Sequence, residues 1–234
     1  MEKELSFVEH LEELRKRIIY IILFFVIVSI VAYYFSSKIL SYLISPLQKY
    51  QQYPFFTRPI EPFFSILKVC FFSSGIISLP FILFQIYQFI SPGLTEKENK
   101  VVKTIFIFFP FLFLIGMSFA FYIIIPFGLK VLFSFGKDVM KPLISISNYL
   151  SFIFIFLIVM GVIFNIPVFI SSLAIIGIVK SKFLREKRKF AILGSFILSA
   201  LITPTTDIFT QIFVAIPLII LYEISIYFSK IFEN

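Results

Sequence analysis

Long apolar runs, separated by short polar stretches, set the pattern of this chain of 234 residues. The first run, Ile18 to Phe35, holds 18 residues without a charge, which as a helix is about 27 Å long. Later runs are of similar length or longer, with one exception near the end. The pattern predicts an all-α polytopic membrane protein, a single domain over residues 1–234 with six transmembrane helices. The predicted spans are about 18–35, 63–90, 104–127, 148–178, 190–202 and 208–228.

The fifth apolar run is too short for an ordinary span. Residues 190–202 give 13 residues, about 20 Å of helix, against a hydrocarbon thickness of about 30 Å. The polar stretch Thr203 to Asp207 follows, and then the sixth run begins. The fifth and sixth runs therefore predict a short helical hairpin. Its polar turn would lie below the headgroups, which implies local bilayer thinning or a protein partner.

Prolines interrupt several of the predicted spans. Each proline removes one intrahelical hydrogen bond, so kinked helices arranged as a concave bundle are expected. The positions are Pro80, Pro110, Pro167 and Pro217. The segment 36–62 is polar and contains further prolines, among them Pro46, and it predicts a loop.

Residues 1–17, ahead of the first span, predict a short amphipathic helix. Ser6 and Glu9 have the spacing of a capping box. Glu12 with Lys16, and Glu13 with Arg17, have the spacing of favourable helical ion pairs, so the charged cluster is also typical of an ordinary solvated face. The apolar stripe of this helix is Phe7, Leu11, Leu14 and Ile18.

Composition and charge place the chain in a membrane. Apolar residues make up 59% of it, including 35 phenylalanines, which is more than a soluble domain of this length can bury. The net charge of +8 comes from loops between spans, which indicates orientation rather than nucleic-acid binding. With the N-terminus inside, the inner segments hold 14 Lys and Arg and the outer segments 6, so both termini are predicted to be cytoplasmic.

The sequence lacks the motifs of common enzymes. It has no phosphate-binding G-x-x-x-x-G-K-[ST], no H-E-x-x-H and no G-x-S-x-G. His10 is the single histidine, so no histidine-based metal site or Ser/His/Asp set is predicted. No cofactor is expected, and binding remains as the function.

Two motifs at the predicted cytoplasmic face, joined by weaker matches along the chain, resemble the TatC family, the large membrane subunit of the twin-arginine protein translocase. Before the first span the pattern F-x-x-H-L-x-E-L-R-x-R includes Glu13 and Arg17, and the first inside loop, FISPGLTEKE, includes Phe89, Pro92, Leu94 and Glu98. Further similar stretches are Ser45-Pro46-Leu47, PFFSILK, GMSFAFYIIIP, YLSFIF and the C-terminal TPTTDIFTQIFVAIPLIILYEISIYFS.

The resemblance implies a receptor for signal peptides with two adjacent arginines, in a translocase that exports folded proteins on the proton gradient. Glu13 and Glu98 would bind the arginines, with Arg17, Phe89, Pro92 and Leu94 around them. Single-span TatA- and TatB-like subunits would dock on the hairpin, and several TatC copies would assemble with them. The protein would lie in the inner membrane of a prokaryote. The implied docking patch is Asn165, Thr203, Thr206, Asp207 and Gln211, with Pro46 and Pro167 in structural roles.

Alternatives remain open at several positions. Thr95 and Glu98 also have capping-box spacing, so Glu98 can simply begin the third helix. Many TatC proteins have a glutamate where this chain has Asn165, which cannot supply a charge and can instead bond a carbonyl freed by Pro167. The alternative for the whole chain is a secondary transporter or an intramembrane enzyme, although no inverted repeat, midplane charge or catalytic set is visible.

Overall fold

The structure, a computed structural model, describes residues 7–134, 143–202 and 208–232. Within these ranges it is helical, and its one β-type contact is a single-residue bridge. The all-α prediction is confirmed. The helices of the described ranges are α1 (Phe7–Gln48), α2 (Glu61–Ile90), α3 (Glu96–Phe119), α4 (Ile125–Ser134), α5 (Ile146–Ile163), α6 (Ile166–Ile175), α7 (Ser181–Glu186), α8 (Arg188–Ile202) and α9 (Ile208–Phe232).

Five helical segments of the described chain are long and apolar enough to cross a membrane. Helix α8, with 15 residues and a length of about 22 Å, is not among them, as its short apolar run predicts. The number of six crossing helices therefore stays a prediction, while the short hairpin of α8 and α9 is present. The five segments are Val8–Gln48, Glu61–Gly93, Glu96–Ser134, Ile146–Ile175 and Gln211–Lys230.

Helix α1 is one unbroken helix of 42 residues. It joins the predicted amphipathic helix to the first span and then continues to Gln48, so the prediction of a loop over residues 36–48 is wrong. The physical reason is packing, because Leu43 and Leu47 recur at helical spacing and are buried against the core. Pro46 lies in the last turns of this helix, not in an outer loop.

Helices α1 and α2 form an antiparallel pair. Near the start of α1, His10 stacks on Phe89 at the end of α2, and further along α1 Phe24 stacks on Phe81 with centroids 4.3 Å apart. We call the end of the bundle where α1 begins the N-side end, and the other the far end. At the N-side end, α3 begins at Glu96, eight residues ahead of the apolar run that starts at 104.

Two helical breaks divide spans that the sequence presents as continuous. The third span continues from α3 through a π-helical turn, Ala120–Ile124, into α4, which ends at Ser134. The fourth span divides into α5 and α6 around Asn165, two residues ahead of Pro167. Each break lies beside a proline that lacks a helical hydrogen-bond donor. Helices α2, α3 and α9 run unbroken through Pro80, Pro110 and Pro217.

Helices α3 and α5 cross at very close range. A Cβ atom at Gly116 would lie 2.4 Å from the carbonyl oxygen of Met160, and one at Gly161 would lie 2.6 Å from the ring of Phe113. Met160, which makes this contact, is fully buried. The core of the protein therefore depends on two positions without a side chain.

At the far end, polar contacts join the segment before α2 to the start of α5. The backbone of Phe55 pairs with the strand-like segment at Ser145, with an Ile146 N to Phe55 O distance of 2.9 Å. The carboxylate of Glu61 accepts hydrogen bonds from the backbone and hydroxyl of Thr57 and from the hydroxyl of Ser145. Lys68 of α2 donates to Ser147 (2.7 Å) and Ser151 (3.2 Å) of α5, so its ammonium is bonded within the protein rather than extended to solvent.

Candidate guanidinium-binding site

A cluster of carboxylate and amide oxygens surrounds the side chain of Arg17 at the N-side end. The Nε of Arg17 donates to Glu13 Oε1 at 2.9 Å, and its Nη2 pairs with the same oxygen. Its Nη1 donates to the side-chain oxygens of Gln85 (3.1 Å) and Gln88 (2.7 Å) on α2. We call Glu13, Gln85 and Gln88 the acceptor nest.

The acceptor nest is built by two helices whose spacing places its members together. Glu13 and Arg17 are four residues apart on α1, and Gln85 and Gln88 are three residues apart on α2, so each pair lies on one helical face. The side chains of Arg17 and Glu13 are 17% and 26% exposed, which makes the site partly shielded from water. Such a site binds a planar guanidinium well, because several N–H groups find acceptors at once.

Sequence reasoning found Glu13 and Arg17 but missed the two glutamines. A usable signal exists, because Gln85 and Gln88 are amides spaced by three residues inside an otherwise apolar helix. A polar face of this kind needs partners at membrane depth. Gln85 is buried and Gln88 is half-buried, so both are removed from bulk water by the neighbouring helix.

The apolar residues predicted for this site lie at the end of α2 and in the turn after it. Phe89 is half-buried beneath the ring of His10, with centroids 4.3 Å apart. Pro92 is exposed in the short 3-10 turn Ser91–Gly93, and Leu94 is half-buried directly after that turn. The structure thus places all three at the N-side end.

Glu98 begins helix α3 through a capping box. Its Oε2 accepts from the backbone nitrogen of Thr95 (2.9 Å) and from the Thr95 hydroxyl (2.7 Å), and its own nitrogen donates to that hydroxyl. The capping interpretation of Glu98 is confirmed. Asn99, the next residue, accepts from Tyr87 at 2.8 Å, which fixes Glu98 at the same end of the bundle as Glu13.

Asn165 is fully buried at the break between α5 and α6. Its Nδ2 donates to the carbonyl of Gly161 at 2.8 Å, because the backbone nitrogen of Asn165 bonds Val162 instead. The carbonyl that Pro167 leaves without a helical donor is that of Ile163, four residues earlier, so the bond observed to Gly161 is not the predicted one. Its Oδ1 has no partner among the described residues.

Gln211 is committed to the hairpin itself. Its Nε2 donates to the backbone carbonyl of Phe196 on α8 at 3.0 Å. The backbone carbonyl of Gln211 accepts a hydrogen bond from the hydroxyl of Ser199. The side-chain amides of Asn165 and Gln211 therefore donate to backbone carbonyls on two different helices, α5 and α8. The other members of the predicted docking patch, Thr203, Thr206 and Asp207, lie outside the described residues.

No group of three or more His, Cys, Asp or Glu side chains in the described ranges is arranged to hold a metal ion. The chemistry that these ranges offer at the N-side end is hydrogen bonding to a cation. The carboxylates of Glu13 and Glu98 are among the acceptors there.

Comparison with known proteins gives one consistent family. Residues 9–217 match the family described as "Sec-independent protein translocase protein (TatC)". The protein of that name from Carboxydothermus hydrogenoformans is 38% identical over 229 residues, which covers 98% of this chain and 94% of the relative. The Escherichia coli relative is 34% identical over 230 residues, covering 96% and 88%. A crystal structure titled "Twin Arginine Translocase Receptor- TatC" superimposes with a TM-score of 0.77 at 33% identity, covering 97% of this chain and all of the other.

Proposed function

The chain belongs to the TatC family of Sec-independent protein translocase proteins, and from this membership we propose that it is the receptor for twin-arginine signal peptides. In this proposal it is the core subunit of a translocase that exports folded proteins on the proton gradient, with no catalytic step of its own. The observation that carries the proposal is the acceptor nest, which already binds a guanidinium in this chain.

Arg17 already occupies the acceptor nest, so a preference for arginine over lysine would rest on the remaining carboxylate oxygens of Glu13 and Glu98. A guanidinium offers five N–H donors in a rigid plane, whereas an ammonium is a single compact charge. Arg17 uses Glu13 Oε1, so the second carboxylate oxygen of Glu13 is the acceptor for the first arginine of a signal. Arg17 acts as a positioning residue, because its bonds to Gln85 and Gln88 hold the carboxylate in place.

Glu98 is proposed to bind the second arginine. Its Oε2 serves the capping box, which leaves Oε1 for a ligand at the same end of the bundle. The apolar part of the signal would pack on the exposed lipid-facing surfaces near Phe89 and Leu94, where burial of apolar area supplies the remaining affinity.

The test of the proposal is binding of a synthetic signal peptide to the full chain in detergent. A peptide with two adjacent arginines is expected to bind at least ten-fold more tightly than the same peptide with two lysines. Equal binding of both peptides would show that the site does not distinguish a guanidinium from an ammonium and would overturn the proposal.

We propose that the N-side end faces the cytoplasm of a prokaryotic cell and that the membrane is the inner membrane. The excess of Lys and Arg in the segments predicted to be inside supports this orientation. In a Cys70→Ala background, Lys49→Cys and Leu143→Cys at the far end should react with an impermeant thiol reagent in intact cells. Lys97→Cys and Lys182→Cys should react only in opened membranes. Labelling of Lys97→Cys in intact cells would reverse the orientation.

We propose that single-span TatA- and TatB-like subunits dock on the hairpin of α8 and α9 and that several copies of the chain assemble with them. The hairpin supports this, because α8 is shorter than the bilayer and its neighbour exposes Ile208 and Ile216. Photo-crosslinkers at these two positions should trap a single-span subunit, and one at Ile30 on α1 should not. Adducts with lipid alone at Ile208 and Ile216 would contradict the docking site.

A further inference from the structure

The segment 178–190 at the N-side end combines dense positive charge with exposed apolar side chains. Six of its residues are cationic and exposed, and one, Glu186, is acidic. Phe183 and Phe190 are 53% and 67% exposed, although both are large aromatic residues. The cations are Lys180, Lys182, Arg185, Lys187, Arg188 and Lys189. Charge and apolar surface of this kind occur together where a protein contacts the headgroup region of a membrane.

Two contacts join this segment to α9. Leu184 of α7 is buried, and its carbonyl accepts a hydrogen bond of 2.8 Å from the hydroxyl of Tyr222. At the start of α8, Arg188 pairs with Glu223 of α9 at 2.7 Å. The first contact holds the backbone at Leu184, and the second joins two half-exposed side chains, so the segment is tied to α9 at two points. Preorganisation of this kind lowers the cost of binding a ligand.

Lys187 lies near both exposed aromatic residues of this segment. Its ammonium lies 5.7 Å from the ring centroid of Phe183 and 5.1 Å from that of Phe190. The two aromatic faces keep the charge beside apolar surface without neutralising it. An anion that approaches Lys187 therefore meets a cation with apolar groups on both sides.

A stripe of apolar side chains leads from this cation along α8. Phe190, Leu193, Ile197 and Leu201 follow one another at intervals of three or four residues, and each is more than half exposed. The stripe runs from the N-side end toward the membrane interior for about 16 Å. Its length and direction suit an acyl chain whose headgroup lies at Lys187.

We propose that residues 180–190 and the α8 stripe bind an anionic phospholipid of the leaflet at the N-side end, with its phosphate beside Lys187 and Lys189 and an acyl chain along the stripe. A zwitterionic lipid offers the same phosphate but a compensating cation, so it gains less from the cluster. An acidic protein segment would match the charges but not the lipid-facing stripe. The proposal is independent of signal-peptide recognition at the acceptor nest.

The test is a lipid titration of the purified full chain in detergent, read by native mass spectrometry. Phosphatidylglycerol should bind more tightly than phosphatidylcholine of the same chain length. Lys187→Gln should weaken phosphatidylglycerol binding about five-fold, and Lys187→Gln with Lys189→Gln about twenty-fold, because each cation near a membrane surface contributes about that factor. Lys187→Arg should retain the affinity of the parent chain.

Three controls make the test decisive. Lys100→Gln removes an exposed cation at the same end of the bundle, on α3, and should leave lipid affinity unchanged. Inorganic phosphate at millimolar concentration should fail to displace the lipid, since it lacks an acyl chain. The proposal is overturned by equal affinity for the two lipids, by displacement with free phosphate, or by a co-purified single-span protein that excludes phosphatidylglycerol.

Discussion

Replacing Glu13 by glutamine is expected to weaken binding of a twin-arginine peptide by about ten-fold or more. The substitution keeps the size of the side chain but removes the negative charge that two guanidinium groups would share. Hydrogen bonds to charged groups contribute about 1.5 to 3 kcal/mol when they are partly buried, and the Glu13 side chain is only 26% exposed. The measurement is the dissociation constant of the peptide for the full chain in detergent.

The matched control is Glu12→Gln, which removes a neighbouring carboxylate that is not part of the acceptor nest. It should change peptide affinity by less than about three-fold, because Glu12 is exposed and an ion pair between an exposed carboxylate and the peptide contributes little in water. If both substitutions weaken binding equally, the cluster is an ordinary solvated face and the nest has no role in recognition.

Glu98 needs a different control because it also forms the capping box of α3. Glu98→Gln should weaken peptide binding. Thr95→Ala removes the capping partner of Glu98 but keeps the carboxylate, so it should weaken peptide binding less. Loss of the N-cap residue destabilises a helix by about 0.5 to 2 kcal/mol. Equal losses of peptide affinity in the two variants would assign Glu98 to helix capping alone.

A second large effect is expected at Gly116, where alanine should destabilise the bundle by about 1 to 3 kcal/mol. The added Cβ would lie 2.4 Å from the carbonyl oxygen of Met160, which belongs to the backbone of α5 and cannot rotate away. Helices α3 and α5 must therefore separate, and the buried contacts around Met160 loosen. The measurement is the midpoint of thermal unfolding of the purified chain in detergent.

Gly75→Ala is the matched control for this effect. It lies inside helix α2, and a Cβ there meets no atom within 4 Å. Alanine is favoured over glycine in a helix by about 1 kcal/mol, so this variant should be as stable as the parent or slightly more. If Gly116→Ala unfolds at the same temperature as Gly75→Ala, the close crossing of α3 and α5 is not a determinant of stability.

The sequence predicts the helical class and the short hairpin well, because both follow from the lengths of apolar runs. It predicts less about where helices end. The stretch 36–48 is polar enough to read as a loop, yet Leu43 and Leu47 bury one face of it and keep it helical. The helical spacing of Leu43 and Leu47 is a local signal, but α5, which helps to bury them, lies about a hundred residues away in the chain.

The candidate site shows the same division. Glu13 and Glu98 stand out because motifs surround them, and Arg17 follows Glu13 at helical spacing. Gln85 and Gln88 become members of the site only when α2 packs against α1. The unpartnered oxygen of Asn165 and the use of Gln211 within the hairpin likewise depend on tertiary contacts that residue types alone do not specify.

Helix α1 has a mechanical consequence. Its 42 residues extend for about 63 Å, roughly twice the thickness of the hydrocarbon layer, as one stiff rod. Its far part is held by Tyr149, whose hydroxyl bonds the carbonyl of Leu43, and its other part carries Glu13. A pivot of 5° about that anchor would displace Glu13 by about 4 Å, which is more than the length of a hydrogen bond. Because α1 also packs against α2 through His10, Arg17 and Phe24, such a rotation would have to shift these contacts, and it would change the position of Glu13 relative to α2.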